Sequence, residues 1–228
     1  MSRVKSGEQS GTDSVNSNPA SDRASRSNNS RTHASQKFIL ASASPRRRDL
    51  LAQIHLVPDV IIPADIDETP ARGELPRPHA FRLASEKCHH VFAGHAQSVV
   101  LAADTVVGVG RRILPKTEDE ASARQCLEIL SGRAHRVYTG ICVMSGDMTL
   151  SRVVETRLTM KRLSRQEVED YIKSGEWQGK AGGYGIQGYA GAFISKLNGS
   201  YTNVVGLPLF ETRHLLMGAG LLGHGPAS

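Results

Sequence analysis

The chain has 228 residues, 39% of them hydrophobic and 22% charged, with a net charge of +6. That length can bury one substantial core, and no window approaches the uninterrupted apolar run of a membrane-spanning helix. The three cysteines, Cys88, Cys126 and Cys142, are widely spaced without a C-x-x-C pair, which argues against a disulfide framework or a zinc site and for buried thiols.

Residues 1–36 are dominated by Ser, Asn, Arg, Gly and Thr and contain no aromatic residue. Such a composition does not repay the entropy of ordering, so a disordered tail is expected, dispensable for catalysis. Three acids and no amphipathic stripe argue against a transit peptide, no secretory signal core is present, and the expected location is cytoplasmic. Residues 1–37 hold half of the net charge, +3, so the remainder is only mildly basic and shows no nucleic-acid-binding motif. An ordered domain is expected over 37–220 and a flexible C-terminus over 221–228.

Order begins at Lys37-Phe38-Ile39-Leu40-Ala41, a short strand feeding into Ser42-Ala43-Ser44-Pro45-Arg46-Arg47-Arg48. There Ser44 suits an N-cap, Pro45 the first helical position, and Leu50, Leu51 and Ile54 a buried stripe. Three arginines in the first turn oppose the macrodipole, so they either splay into water or gather an anion on the helix N-terminus. Val60 to Pro63 reads as a second strand ending in Asp65-Ile66-Asp67-Glu68. Apolar spacing through Phe81, Ala84, Cys88 and Val91 predicts a helix from His79 to about Ala93, followed by a buried strand over Val99–Ala103.

Thr117-Glu118-Asp119-Glu120 has the form of a capping box opening a helix that Ser131-Gly132 ends, and Ser164-Arg165-Gln166-Glu167 repeats the device. Between them, Val137–Met144 and Arg152–Met160 read as a hairpin around Ser145-Gly146-Asp147. The glycine-rich Gly179–Gly188 leads to Ala192–Ser195, a turn at Asn198-Gly199-Ser200 and a last helix from about Pro208 to Met217. Interleaved strands and helices with some hairpins give an α/β class with a mixed sheet.

Among residues able to carry chemistry, Asp104 stands out, because a carboxylate in the apolar run Val99–Val107 is costly unless paired or metal-bound. It reads as a turn aspartate or as a group at the carboxyl end of a buried strand, where open α/β sheets place their ligands. Asp67 and Glu68 follow another strand in the same way; they form a solvated loop, or with Asp104 they hold Mg²⁺. Gly183-Tyr184-Gly185-Ile186-Gln187-Gly188 fits G-x-G-x-x-G without opening an apolar helix, and no Walker loop occurs. The arginines with Lys87, Lys116 and Lys180 are cations whose common purpose would be a polyphosphate. Neither a nucleophile elbow nor H-E-x-x-H is present, and Asn198-Gly199-Ser200 reads as a turn rather than a glycosylation site.

Five collinear segments carry a family resemblance: Leu40-Ala41-Ser42-Ala43-Ser44-Pro45-Arg46-Arg47, Ala103-Asp104-Thr105-Val106-Val107, Leu130-Ser131-Gly132-Arg133-Ala134-His135-Arg136-Val137, Lys180-Ala181-Gly182-Gly183-Tyr184-Gly185-Ile186-Gln187-Gly188 and Asn203-Val204-Val205-Gly206-Leu207-Pro208-Leu209. In order and spacing, over about 37–217, the chain resembles the Maf family of nucleoside triphosphate pyrophosphatases. The resemblance implies an α/β fold with a mixed, elongated β-sheet, flanking helices and two lobes around a cleft, related to the inosine triphosphate pyrophosphatases. It also implies cleavage of a nucleoside triphosphate to monophosphate and pyrophosphate with a divalent metal cation, Mg²⁺ or Mn²⁺. Asp104 would activate water. Arg46, Thr105 and Gln187 would bear on substrate choice, and Ser42, Arg47, Lys87, Lys116 and Lys180 would contact phosphates.

Asp67 or Glu68 would join Asp104 on the metal. The intact Tyr184–Gly188 and Val205–Pro208 resemble the branch acting on dTTP and UTP more than that acting on 7-methyl-GTP. Departures are Thr117 where proline usually follows the lysine, and Gly179 in place of a frequent aspartate. The nucleoside triphosphate is the expected partner, without nucleic acid or membrane, and a homodimer is a candidate assembly. A rival reading, from the family's link to septum formation, is a non-catalytic nucleotide-binding protein, which would bind dTTP without turnover.

Overall fold

The computed structural model describes residues 36–222. The expected tail and C-terminus fall almost wholly outside that range. Within it the elements are β1 (Phe38–Leu40), α1 (Pro45–Gln53), β2 (Val60–Ile61), α2 (Pro76–Phe92), β3 (Val99–Val109), β4 (Arg112–Leu114) and α3 (Glu120–Leu130). There follow β5 (Ala134–Ser145), β6 (Met148–Met160), α4 (Arg165–Ser174), a 3₁₀ turn (Tyr189–Phe193), β7 (Ile194–Asn198), α5 (Tyr201–Val205) and α6 (Leu209–Gly218).

The strands form a single mixed sheet in the order β2-β1-β3-β5-β6-β7, with β4 on β3. β1 runs parallel to both β2 and β3, and the remaining pairs are antiparallel. Why β1 is a continuous apolar run is clear from its two faces. Phe38 and Leu40 pack with Leu50, Leu51 and Leu216, while Ile39 and Ala41 pack with Ala84, Cys88 and Val91 of α2. Residues Val99–Ala103 of β3 divide between the same two clusters, and Val107 belongs to a third around Leu127, Leu158, Tyr171 and Trp177. Asp104 and Thr105 therefore lie where the core changes from one end of the strand to the other.

That position corrects the reading of Asp104 as the end of a strand. β3 continues for 11 residues and pairs Asp104 with Gly140 of β5. The β-branched Thr105, Val106 and Val107 prolong the ladder, and the charge is met by a lysine rather than by a turn. Gly140 lets α2 lie directly on the sheet: a Cβ there would sit 2.1 Å from the Ala80 carbonyl oxygen.

Other boundaries shift for identifiable reasons. α2 opens at Pro76, already in the first helical position, and Phe81 is exposed while Ala80, Leu83, Ala84, Cys88 and Val91 are buried. α3 is capped by Asp119, whose side chain accepts from Ser122 N, not by Thr117. The Ser164 capping box is present in full, and Gly146 takes positive φ in the β5–β6 turn. Ser44 occupies the N-cap of α1, but its side chain makes no cap bond. Among the described residues, no helix is long and apolar enough to cross a membrane, and the three cysteines are buried and free.

Candidate active site

A cleft of about 370 Å³ opens where β3 changes core clusters. Its walls are the β1–α1 turn from Ala41 to Arg47, then Glu68, Lys87, Asp104, Thr105, Lys116, Lys180, Tyr184–Gln187 and Val204–Gly206. Ser42, Arg46, Arg47, Lys87, Asp104, Thr105, Lys116, Lys180 and Gln187, proposed from sequence, all line it, as does Glu68.

Asp67 does not. It is exposed, and its Oδ1 accepts from Thr69 N at 2.9 Å within its own loop. Of the two acids left open by the sequence, the structure puts Glu68 beside Asp104.

At the centre, Lys87 of α2 reaches both carboxylates: its Nζ donates to Asp104 Oδ1 at 2.6 Å and lies 2.5 Å from Glu68 Oε1. Asp104 is 2% exposed and Lys87 6%, so this pair is among the most desolvated charges in the fold. Lys116 pairs with the other oxygen of Glu68. Burial would push the Glu68 carboxyl up, but hydrogen bonds from Lys116 and Lys87 outweigh it and bring the group from 4.5 down to about 2. Among the described residues no donor reaches Asp104 Oδ2, and the residue lines the cleft.

The three arginines of α1 separate in role. Arg48 lies outside and meets Asp49 at 3.4 Å. Arg47 turns inward and donates to Gly206 O at 2.9 Å, Ser42 Oγ at 2.8 Å and Thr105 Oγ1 at 3.3 Å. It thereby fastens the β1–α1 turn to β3 and to the segment after α5. Arg46 lines the cleft half-buried, and burial lowers its guanidinium from the ordinary value. Burial, then the nearby Arg46, also lowers the Lys180 ammonium, so two cations share one wall of the cleft. Clustered like charge of this kind, above a first helical turn without a side-chain cap, suits a polyanion.

Lys116 and Lys180 are brought together by backbone. Thr117 N donates to Lys180 O at 3.2 Å, Gly182 N to Pro115 O at 2.9 Å and Gly179 N to Thr117 O at 2.9 Å. Thr117 is fully buried and its hydroxyl donates to Trp177 O at 2.7 Å, which is why it is unavailable as a helix cap. Gly182 and Gly183 are both left-handed (φ 67° and 69°), a pair of conformations that favours glycine and lets the chain fold back over Val107.

Sequence reasoning gave Thr139 no role, and named Tyr184, Asn203 and Gly206 only within the segments that carry the family resemblance. Thr139 Oγ1 donates to Asn203 O at 2.9 Å and lies 3.0 Å from Thr105 Oγ1, so the Thr105 hydroxyl is engaged by protein on several sides. Asn203 is fully buried and donates to Val137 O and Thr156 Oγ1. Tyr184 forms a wall of the cleft while its hydroxyl meets buried His135 Nε2 at 2.6 Å. The signal available in sequence was polar residues inside apolar segments, which does not say what they bond.

Two carboxylates that share a lysine fit a hard divalent cation, which takes oxygen ligands and completes its shell with phosphate oxygens and water. Among the described residues there is no group of three His, Cys, Asp or Glu side chains, so a site made of protein ligands alone is not present.

The family model described as Maf-like protein matches residues 37–219. The chain belongs to the Maf family. A protein of Mesorhizobium japonicum named dTTP/UTP pyrophosphatase is 59% identical over 196 residues, covering 83% of this chain and 94% of its own. Proteins of the same name from Caulobacter vibrioides and Maricaulis maris are 58% and 60% identical, covering 82% and 81% of this chain and 97% and 88% of their own. This Maf chain also overlaps a HAM1 protein structure from Coxiella burnetii, at 18% identity, over 57% of this chain and 75% of that one, with a TM-score of 0.38. A nucleoside-triphosphatase / dITP/XTP pyrophosphatase from Mycobacterium abscessus overlaps 83% of this chain and 100% of its own at 14% identity and a TM-score of 0.39.

Proposed function

We propose that this chain is a nucleoside triphosphate pyrophosphatase that cleaves dTTP and UTP to the nucleoside monophosphate and pyrophosphate. The observation that carries the reading is Asp104, a buried mid-strand carboxylate held by Lys87 through Oδ1 and lining a cleft ringed by Arg46, Arg47, Lys87, Lys116 and Lys180. The relatives at 58–60% identity bear names with the same substrates.

In this reading the triphosphate lies along the cations of the β1–α1 turn and the Lys116–Lys180 wall, and Asp104 Oδ2 takes a proton from water. The water oxygen forms a bond to the α-phosphorus, the bond from that phosphorus to the bridging oxygen breaks, and pyrophosphate leaves with the electron pair. Lys87 holds Asp104 in place through its hydrogen bond to Oδ1, and Arg47 holds the Ser42 turn in place. Asp104 and Glu68 would hold Mg²⁺ or Mn²⁺, which when bound supplies charge neutralisation at the phosphates. Arg46 and Gln187, on the wall of the cleft, contribute to base preference.

Incubation with dTTP or UTP and Mg²⁺ is expected to yield pyrophosphate as first product, with chelation of the metal stopping the reaction. Orthophosphate as first product, or a clear preference for 7-methyl-GTP over both pyrimidine nucleotides, would contradict the reading.

A further inference from the structure

Glu68 sits in a segment without regular structure, between β2 and α2, and what fixes that segment is a part-buried knot of side chains around the start of α2. Arg82 donates through Nε to Glu74 Oε1 and through Nη2 to Glu74 Oε2, both at 2.9 Å, and through Nη2 to the Thr69 carbonyl at 3.1 Å. Glu74 Oε2 also accepts from Ala71 N at 2.9 Å and lies 2.9 Å from Nδ1 of the buried His79. Arg82 Nη1 reaches on to Glu86 at 3.0 Å. The fork of one arginine therefore ties the backbone just after Glu68 to the helix that carries Lys87, five residues further on.

From this geometry we infer that Arg82 and Glu74 are positioning residues for the reaction: they hold Glu68 at the Lys87–Asp104 pair and so set the binding of the divalent cation. The inference rests on the proposed function for its activity and Mn²⁺ arms, and the exchange arm stands apart from it. Neither residue lines the cleft, so neither touches substrate. Glu68 has bonds of its own to Lys87 and Lys116, so what the variants are expected to change is how firmly its backbone is held.

The test compares Arg82→Gln, Arg82→Lys and Glu74→Gln with a control variant, Arg136→Gln, which removes an exposed ion pair to Glu155 elsewhere on the sheet. Amide hydrogen exchange is followed over residues 64–73. Mn²⁺ binding in the presence of a non-hydrolysable dTTP analogue is measured by paramagnetic resonance. Arg82→Gln is expected to speed exchange in that segment, and to weaken Mn²⁺ binding and lower kcat by about tenfold or more, with nucleotide KM changing much less. Arg82→Lys, which retains the charge without the fork, should fall with Arg82→Gln in the exchange experiment.

If the wild-type chain binds no Mn²⁺ with the analogue and turns over no nucleotide, the exchange arm still decides whether Arg82 clamps the segment, and the proposed function is what fails. Unchanged exchange over 64–73, or Mn²⁺ binding and kcat within about twofold of wild type in a folded Arg82→Gln protein, would overturn the inference. Should Arg82→Gln fail to fold, Glu74→Gln, of nearly the same shape, decides by the same readouts.

Discussion

Asp104 and Lys87 are buried as a pair, but Lys87 has a second carboxylate in Glu68 and Asp104 has no second cation bonded to it among the described residues. Asp104→Asn keeps the shape and leaves Lys87 paired with Glu68, so the protein is expected to stay folded while losing roughly two to four orders of magnitude in turnover. Lys87→Met leaves a buried carboxylate uncompensated and is expected to reduce the free energy of unfolding by about 3 kcal/mol, measured in urea. If Lys87→Met were as stable as Asp104→Asn, the pair would not be the desolvated bridge described here. His135 supplies a second residue-scale expectation. Burial lowers its imidazole from 6.5 to about 4, so as pH falls through 6.5 the unfolded chain takes up a proton that the folded chain refuses until about 4. Stability should fall across that window and level off below it. His135→Phe should lessen the fall between about pH 7 and pH 5, and an identical slope in the variant would contradict the assignment.

At the scale of elements, α2 does more than cover the sheet. It delivers Lys87 to Asp104, anchors the Glu68 segment through Arg82, and lies so close to β5 that Gly140, the partner of Asp104 in the ladder, has no room for a methyl group. Gly140→Ala must displace the helix or bend the strand, and is expected to lower stability by about 1–3 kcal/mol and activity with it. A variant with unchanged melting and turnover would show that the contact is slack. This element also shows what sequence makes legible. Its apolar spacing locates the helix, and β1 with its following turn is readable from a short apolar run and Ser-Pro. Asp104 reads as a strand end because the lysine that permits it mid-strand lies 17 residues away on another element. Thr117 fits a capping box as well as Asp119 does until Trp177 claims its hydroxyl. α5, five residues capped by Ser200, is too short to leave a helical period and passes for the tail of a turn.

Across the whole molecule, the site exists because the long strand β3 is shared between apolar clusters at its two ends, leaving Asp104 and Thr105 between them with the β1–α1 turn, Glu68 and the glycine-rich turn closing around. None of these segments is adjacent in sequence. Their types are readable one at a time; the placement of Glu68 on the cleft and of Asp67 outside it, and the commitment of Arg47 to internal bonds, follow only from the packed fold. In the proposed reaction Asp104 takes a proton from water, and the water oxygen attacks the α-phosphorus alone. Hydrolysis of dTTP in ¹⁸O-labelled water with Mg²⁺, read by mass spectrometry of both products, tests this directly. Label in the nucleoside monophosphate with unlabelled pyrophosphate is the predicted result, and label in pyrophosphate or in released orthophosphate would contradict it.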